Sequence, residues 1–113
     1  MNTHKNYRDT LKHNEILVLI QGDSMSPRFK DGDFVICLPI DLEDILAAKE
    51  SKKRTYVIRT KRQGTLLKYI KDINTQNITL ASENISHSNI VMEGTEIDSI
   101  FLVTRSVKIR AEP

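Results

Sequence analysis

The sequence has few of the features that tie a protein to a membrane or to an oxidising compartment. It contains one cysteine and no tryptophan in 113 residues, so no disulfide can form within the chain. No apolar run approaches the roughly 20 residues that cross a bilayer, and the run at residues 16–20 is too short for the core of a signal peptide. We therefore expect a cytoplasmic protein that does not associate with membranes.

Signals for nucleic acid and metal are scarce as well. The net charge is +2, aromatic residues make up 5%, and no helix-turn-helix or zinc-finger spacing occurs. Neither the histidines nor the cysteine show ligand spacing, so we expect no metal and no cofactor. These residues are His4, His13, His87 and Cys37, of which Cys37 is predicted to be a buried apolar residue. The basic cluster at residues 49–54 is interpreted as a solvated loop, with a phosphate-binding patch as the alternative.

The composition and the spacing of β-rich runs predict one mainly β domain. Hydrophobic residues make up 39% and charged residues 28%, and 113 residues leave room for one core. Residues 1–14 are polar and without a period, so we interpret them as an N-terminal arm or linker, and residues 15–113 as the domain. Strands are predicted at residues 15–21, 33–38, 55–60, 65–70 and 77–82, with one or two more in 96–110.

The connections between these runs complete the predicted fold. Residues 41–49 begin with an aspartate and space their apolar residues as a helix does, which predicts one short helix. Residues 61–64 end in glycine and predict a hairpin, and residues 72–76 predict a polar turn. Short strands at this spacing are typical of half-open, barrel-like sheets.

A candidate nucleophile follows the first predicted strand, in the run Gly22-Asp23-Ser24-Met25-Ser26-Pro27. A serine hydroxyl is a weak nucleophile unless a base lies within hydrogen-bond reach. Lys68 is a candidate base, because strand alternation places it on one face with Leu66 and Ile70, and burial disfavours the charged amine. Taken alone, each half has a simpler interpretation, since turn chemistry explains the first motif and strand lysines usually extend to water.

Serine hydrolases with a catalytic histidine fit the chain less well. The Gly-Asp-Ser type needs a late Asp-x-x-His pair, and Asn84 stands where that aspartate would precede His87. The nucleophile elbow Gly-x-Ser-x-Gly fails because Ser26 occupies the place of its second glycine. The chain is also too short for the α/β fold that such enzymes use.

Taken together and in this order, the motifs resemble the LexA-like serine peptidases, a family of self-cleaving repressors, phage repressors and polymerase accessory proteins. The matching pieces are residues 22–27, the Asp31-Gly32-Asp33 turn before a β-branched strand, Leu66-Leu67-Lys68, and Leu80-Ala81-Ser82-Glu83-Asn84. The resemblance covers roughly residues 16–109. It implies a LexA- and signal-peptidase-like fold in which neutral Lys68 takes the proton of Ser24. It further implies that the backbone N–H groups of Asp23 and Ser24 bind the oxyanion. Supporting turn residues would be Gly22, Met25 and Pro27.

The resemblance also implies a role in transcriptional regulation. The chain would be the peptidase and homodimerisation domain of a phage-repressor-like regulator, cleaving a peptide segment of its own chain or precursor in response to a stress (SOS) signal. Contact with DNA would come from a domain or partner outside these residues. Self-cleaving members carry an Ala-Gly or Cys-Gly bond before the serine, and neither dipeptide occurs here.

Several alternatives therefore stay open. The cleavage region was lost with an upstream domain, or the chain is a natural short form, or this member does not cut itself. A non-proteolytic dimerisation module and a UmuD-like polymerase accessory protein are the competing functions. The candidate dimer surface is the apolar C-terminal segment, and the simpler interpretation is that all of its apolar residues belong to the core. These residues are Ile97, Ile100, Phe101, Leu102, Val103, Val107 and Ile109.

Overall fold

Seven strands and one α-helix occur in the computed structural model, which describes residues 11, 13–48 and 54–107. The strands are β1 (Ile16–Leu19), β2 (Phe34–Pro39), β3 (Thr55–Thr60), β4 (Thr65–Ile73), β5 (Asn77–Ala81), β6 (Ile90–Glu93) and β7 (Ile97–Val107). Helix α1 spans Leu42–Ala48, and a 3-10 turn at Gly94–Glu96 leads into β7. Most of the predicted arm, residues 49–53 of the basic cluster and Ile109 lie outside the described residues.

The strands form one open sheet in the order β1-β2-β7-β3-β4-β5-β6, and every neighbouring pair is antiparallel. The two edges of the sheet are therefore β1 and β6. The predicted mainly β fold with one short helix is confirmed, and its strands belong to a single sheet. Within the described residues, no helix is long and apolar enough to cross a bilayer.

Local sequence signals account for two of the connections. Gly64, with a φ of +72°, closes the hairpin between β3 and β4, and its carbonyl accepts the Thr60 N–H at 2.9 Å. Asp41 precedes α1, and its carbonyl accepts the N–H of Ile45 at 3.1 Å. Ile45 is buried, whereas the other two large apolar side chains of α1, Leu42 and Leu46, are exposed. The helix therefore contacts the sheet through a narrow apolar stripe.

Two apolar clusters pack on opposite faces of the sheet, because successive side chains along a strand alternate between faces. On β3, Val57 belongs to one cluster while Tyr56 and Ile58 belong to the other. The first cluster contains Ile20, Met25, Phe29, Val35, Cys37, Val57, Tyr69 and Phe101. The second cluster contains Ile45, Tyr56, Ile58, Ile73, Ile78, Leu80 and Met92.

The C-terminal segment forms β7, an interior strand that pairs with β2 on one side and with β3 on the other. The dimer surface expected on this segment stays a prediction. Phe101 is buried in the first cluster, and the remaining apolar side chains up to residue 103 pack against one cluster or the other. Those residues are Ile97, Ile100, Leu102 and Val103. These four side chains are half-buried, so each keeps part of its apolar surface exposed.

Two differences from the expectation concern strands. β4 continues to Ile73, into the predicted turn. β6 has no counterpart among the predicted strands, because its four residues follow a long polar segment and Val91 points to solvent with 68% of its surface exposed. A short edge strand of this kind carries little periodic signal.

Candidate active site

The loop between β1 and β2 carries Ser24. Gly22 has a φ of +90°, a left-handed conformation that glycine adopts readily, and its N–H donates to Asp31 Oδ1 at 2.7 Å. On the other side of Ser24, the side chains of Met25 and Phe29 are buried in the first cluster. The half-buried Ser24 is therefore held between a hydrogen-bonded turn and a core anchor.

Lys68 lies in β4 with 6% of its surface exposed. Leu66 and Ile70 pack against the second cluster, and the residue opposite Lys68 in β3 is Tyr56 of the same cluster, so the predicted face is confirmed. Burial lowers the pKa of Lys68 below its usual value because it disfavours the charged amine. Among the described residues, no carboxylate forms an ion pair with this amine that would restore its charge.

The segment after β5, residues 82–84, contacts both Lys68 and the serine turn. Lys68 Nζ donates to Ser82 Oγ at 2.9 Å. The Glu83 N–H lies 3.3 Å from Met25 Sδ, and the Asn84 N–H donates to the Ser24 carbonyl at 2.9 Å. Three consecutive residues, which we call segment 82–84, thus contact both Lys68 and the turn around Ser24.

The peptide groups around Ser24 have an ordered arrangement. The Asp23 carbonyl accepts from Asn84 Nδ2 at 3.2 Å and from the Ser26 N–H at 3.0 Å. Because N–H and C=O point in opposite directions in a trans peptide, the Ser24 N–H points away from these donors. Within the described residues, neither the Asp23 N–H nor the Ser24 N–H has an acceptor.

The Ser24 hydroxyl and the Lys68 amine are not joined directly. In the described part of the chain, no hydrogen bond connects Ser24 Oγ with Lys68 Nζ. Catalytic hydrogen bonds are often long before substrate binds, so this geometry alone does not exclude a working pair. Of the other predicted turn residues, Met25 is buried at 2% exposure and Pro27 is exposed.

Further contacts brace the site from outside. His87 Nε2 lies 2.8 Å from Asp23 Oδ1, within hydrogen-bond distance and exposed to solvent. The Tyr69 hydroxyl, next along the chain from Lys68, donates to Glu83 and accepts from Arg28 Nη1 at 3.4 Å. Burial, followed by the hydrogen bond to Glu83, raises the pKa of Tyr69. Through Tyr69, a member of the first cluster, Glu83 of segment 82–84 is linked to Arg28.

A groove of about 400 Å³ runs between β1 and the first half of β4. Its lining includes residues 17–21, which lead into the serine turn, and residues 65–67, which lead into Lys68. β4 pairs with β5 only from Tyr69 onward, and β1 is an edge strand, so both strands offer unpaired backbone groups here. The groove therefore offers backbone groups with which an extended peptide strand could pair.

Cys37 and the histidines take no part in a metal site within the described residues, where no group of three or more suitable side chains occurs. Cys37 is fully buried, and burial raises its pKa to about 11, as expected for a residue that packs in the core.

The contacts of Ser82, Glu83 and Asn84 could not be predicted from the sequence. The family motif includes their segment, but the sequence assigns no contact to any of them. Hydrogen bonds between residues about sixty positions apart leave no local pattern. The motif spacing is the signal that could have pointed to them.

The chain thus combines an open antiparallel sheet with a serine-bearing loop between β1 and β2 and a buried lysine on β4. The family model of Peptidase S24-like proteins matches residues 3–104, and the chain belongs to this family. The resemblance to the LexA-like serine peptidases is thereby confirmed. Searches of curated proteins and of solved structures gave no match.

Proposed function

We propose that this chain is the peptidase and dimerisation domain of a phage-repressor-like transcriptional regulator, with Ser24 as nucleophile and Lys68 as base. The observation that carries the proposal is segment 82–84, which binds the Lys68 amine at one end and the serine turn at the other. Family membership supports a serine peptidase of this type. The substrate would be a peptide segment of the same chain or of its precursor.

The surroundings of Lys68 suit a general base. A lysine can accept a proton only when it is neutral, and burial without a carboxylate partner favours the neutral form. When the neutral amine donates one proton to Ser82 Oγ, its lone pair stays available to the Ser24 hydroxyl. Ser82 therefore acts as a positioning residue, which fixes the direction of the amine.

The reaction follows from these positions. Lys68 takes the proton of Ser24 Oγ, the oxygen attacks the peptide carbonyl, and a tetrahedral oxyanion forms. The free N–H groups of Asp23 and Ser24 donate to this oxyanion, and donors of this kind are typically worth about 3 kcal/mol each. The protonated Lys68 then gives its proton to the leaving amine, and water hydrolyses the acyl-enzyme with Lys68 again as base.

The groove between β1 and β4 favours an extended substrate. A peptide strand there would pair with unpaired backbone groups of one or both strands, and its carbonyl would reach the end of the groove near residues 21 and 67. Binding through the backbone explains how such a domain can accept a segment of its own chain. Homodimerisation and the link to a DNA-binding domain remain part of the proposal and rest on the family resemblance.

One observation favours the competing function, a non-proteolytic dimerisation module. The amine of Lys68 is bonded to Ser82 Oγ, while the Ser24 hydroxyl has no hydrogen-bond partner among the described residues. A lysine kept for packing would look the same. The two functions differ in the reactivity of Ser24, which can be measured directly.

The test is covalent labelling of Ser24 with a serine-directed phosphonate, followed by intact-mass spectrometry between pH 7 and 10. We expect one adduct on the wild type, none on Ser24→Ala, and an unchanged adduct on Ser26→Ala, the matched control from the same turn. Labelling of Lys68→Ala should be roughly 100- to 10,000-fold slower, the usual contribution of a general base. Because only the neutral amine acts as base, labelling should rise with pH and level off below the usual lysine pKa of 10.5.

Two results would overturn the proposal. Equal labelling of the wild type and Ser24→Ala would show that another residue reacts. No labelling of a folded wild type at any pH would assign the domain to the non-proteolytic class. Size-exclusion chromatography with light scattering tests the homodimer separately, and a monomer at all concentrations would remove that part.

A further inference from the structure

A second pocket, of about 350 Å³, lies outside the groove and is rich in arginine. It is bounded by the end of the serine loop, the start of β3 and the last third of β7. Its lining residues are Arg28, Phe29, Arg54, Thr55, Val103, Thr104, Arg105 and Ser106. No acidic residue is among them, and they include three arginines and three hydroxyl-bearing residues.

The three arginines are only partly neutralised by their neighbours. Arg105 Nη1 lies 3.2 Å from Glu15 Oε2, which offsets one charge. Arg28 makes a long contact of 3.4 Å with the neutral Tyr69 hydroxyl, and its guanidinium lies 5.4 Å from the Phe29 ring. Arg54 has no ion pair among the described residues. Positive charge in the pocket thus exceeds the negative charge beside it.

Thr55 gives an independent sign that a ligand belongs here. Its side chain is 4% exposed, and its Oγ1 is the one buried side-chain polar atom without a hydrogen-bond partner among the described residues. A buried hydroxyl without a partner is costly, and such atoms are rare in native structures. Threonine is not needed to fill this space, because valine has nearly the same shape. Thr55 lines the arginine-rich pocket, so the unpaired Oγ1 belongs to a residue of the pocket wall.

We propose that this pocket binds a phosphate group, with the three guanidinium groups as donors to its oxygens and Thr55 Oγ1 as a further donor. Guanidinium groups form paired, charge-assisted hydrogen bonds with phosphate oxygens, and a hydroxyl adds a neutral one. The pocket opens to solvent, so it admits either inorganic phosphate or the phosphate of a nucleotide. This site does not depend on the peptidase activity, since neither Ser24 nor Lys68 lines it.

The test is a titration of the full chain with inorganic phosphate at constant ionic strength, followed by two-dimensional NMR of backbone amides and arginine side chains. We expect saturable shifts at Arg54, Thr55 and Arg105. Arg54→Gln should weaken binding about tenfold or more, as the loss of one charge-assisted hydrogen bond does. Arg62→Gln is the matched control, because Arg62 is an exposed arginine outside this pocket.

Thr55→Val provides a second measurement that does not depend on affinity alone. Without phosphate, the variant should melt at a higher temperature than the wild type, because an unpaired buried hydroxyl has been removed. The rise in melting temperature on adding phosphate should be smaller in this variant. A lower melting temperature for Thr55→Val in the absence of phosphate would contradict the unpaired Oγ1 and overturn the proposal.

Titrations with other ligands distinguish a nucleotide from free phosphate. Tighter binding of adenosine monophosphate than of inorganic phosphate supports a nucleotide ligand, and equal binding supports free phosphate. An equally strong response to acetate would overturn the assignment to phosphate. The absence of any saturable shift, or an equal loss of affinity in Arg54→Gln and Arg62→Gln, would remove the site.

Discussion

The two apolar clusters contain similar side chains but support different parts of the molecule. The first cluster takes in Met25 and Phe29, which belong to the loop that carries Ser24. The second cluster takes its buried members from strands and from one helical residue, Ile45. Packing on the first face therefore positions a reactive loop, whereas packing on the second face positions regular secondary structure. Stability and site geometry should be linked on the first face and separable on the second.

Lys68 connects the two regions. Its strand neighbours Leu66 and Ile70 contact the second cluster, while its amine is bonded to Ser82. The next residues, Glu83 and Asn84, bond to the serine turn, whose buried side chains lie in the first cluster. The proposed base is thus supported by the cluster on one face of the sheet and the proposed nucleophile by the cluster on the other. Segment 82–84 links the two residues.

The difference between the two clusters is tested most strongly by truncating one buried methionine in each. Met25 is 2% exposed and Met92 is 4% exposed, so Met25→Ala and Met92→Ala should each lower the free energy of unfolding by about 2–5 kcal/mol. Only Met25→Ala should slow phosphonate labelling of the molecules that remain folded, because Met25 adjoins Ser24 and contacts the Glu83 N–H. Urea denaturation and labelling rates in one buffer give both quantities.

Met25→Leu keeps the experiment interpretable if the alanine variant does not fold. Exchanges of Met and Leu usually cost less than about 1.5 kcal/mol, because volume is conserved. Labelling that slows equally in Met25→Leu and Met92→Leu would show that the two clusters do not differ in their effect on the site.

The sequence predicted the elements whose signals are local. β-rich composition marked β3 and the first part of β4, Gly64 marked their hairpin, and the aspartate before α1 marked the helix. β6 was missed because four residues at a sheet edge carry too short a pattern. The apolar residues of β7 were visible, but their burial on both faces depends on pairing with β2 and β3, which local periodicity does not encode.

For the site as well, the sequence predicts the residues with local signals and not the contacts that depend on strand pairing. The family motif singled out Ser24 and Lys68, and the apolar neighbours of Lys68 correctly indicated its buried face. The bonds from segment 82–84 arise only when β5 pairs with β4 and brings the end of β5 to the serine loop. The arginine pocket likewise draws Arg28, Arg54 and Arg105 from three separate elements. Such groups become visible only after the chain has folded.

Lys68→Met sharpens the contrast between the buried amine and its apolar surroundings. The folded-state pKa of Lys68 is below the unfolded value of about 10.5, so between the two values the unfolded chain binds more protons. Stability of the wild type relative to Lys68→Met should therefore rise as pH increases through this window. Below the folded-state pKa, the wild type carries the full cost of the buried charge, about 1.4 kcal/mol for each tenfold loss of proton affinity. Urea denaturation of both proteins from pH 7 to 10 measures the difference, and a difference that does not change with pH would contradict a buried amine of lowered pKa.

The smallest effect is expected from two exposed side-chain pairs, one beside the site and one away from it. His87 pairs with Asp23 at 2.8 Å next to Ser24, and Lys61 pairs with Asp98 at 3.0 Å beyond the β3–β4 hairpin. Each pair is solvent-exposed, so His87→Ala and Lys61→Ala should change the free energy of unfolding by less than about 1 kcal/mol.

Labelling of Ser24 should nevertheless respond to only one of them. His87 holds the side chain of Asp23, whose N–H is a proposed oxyanion donor, so His87→Ala should slow labelling about two- to threefold, a loss of under 1 kcal/mol in the barrier. Lys61→Ala should leave the rate unchanged. If both variants label at the wild-type rate, the hydrogen bonds from segment 82–84 suffice to hold the serine turn. In that case only the buried contacts of the first cluster, and not the exposed His87–Asp23 contact, would support the site.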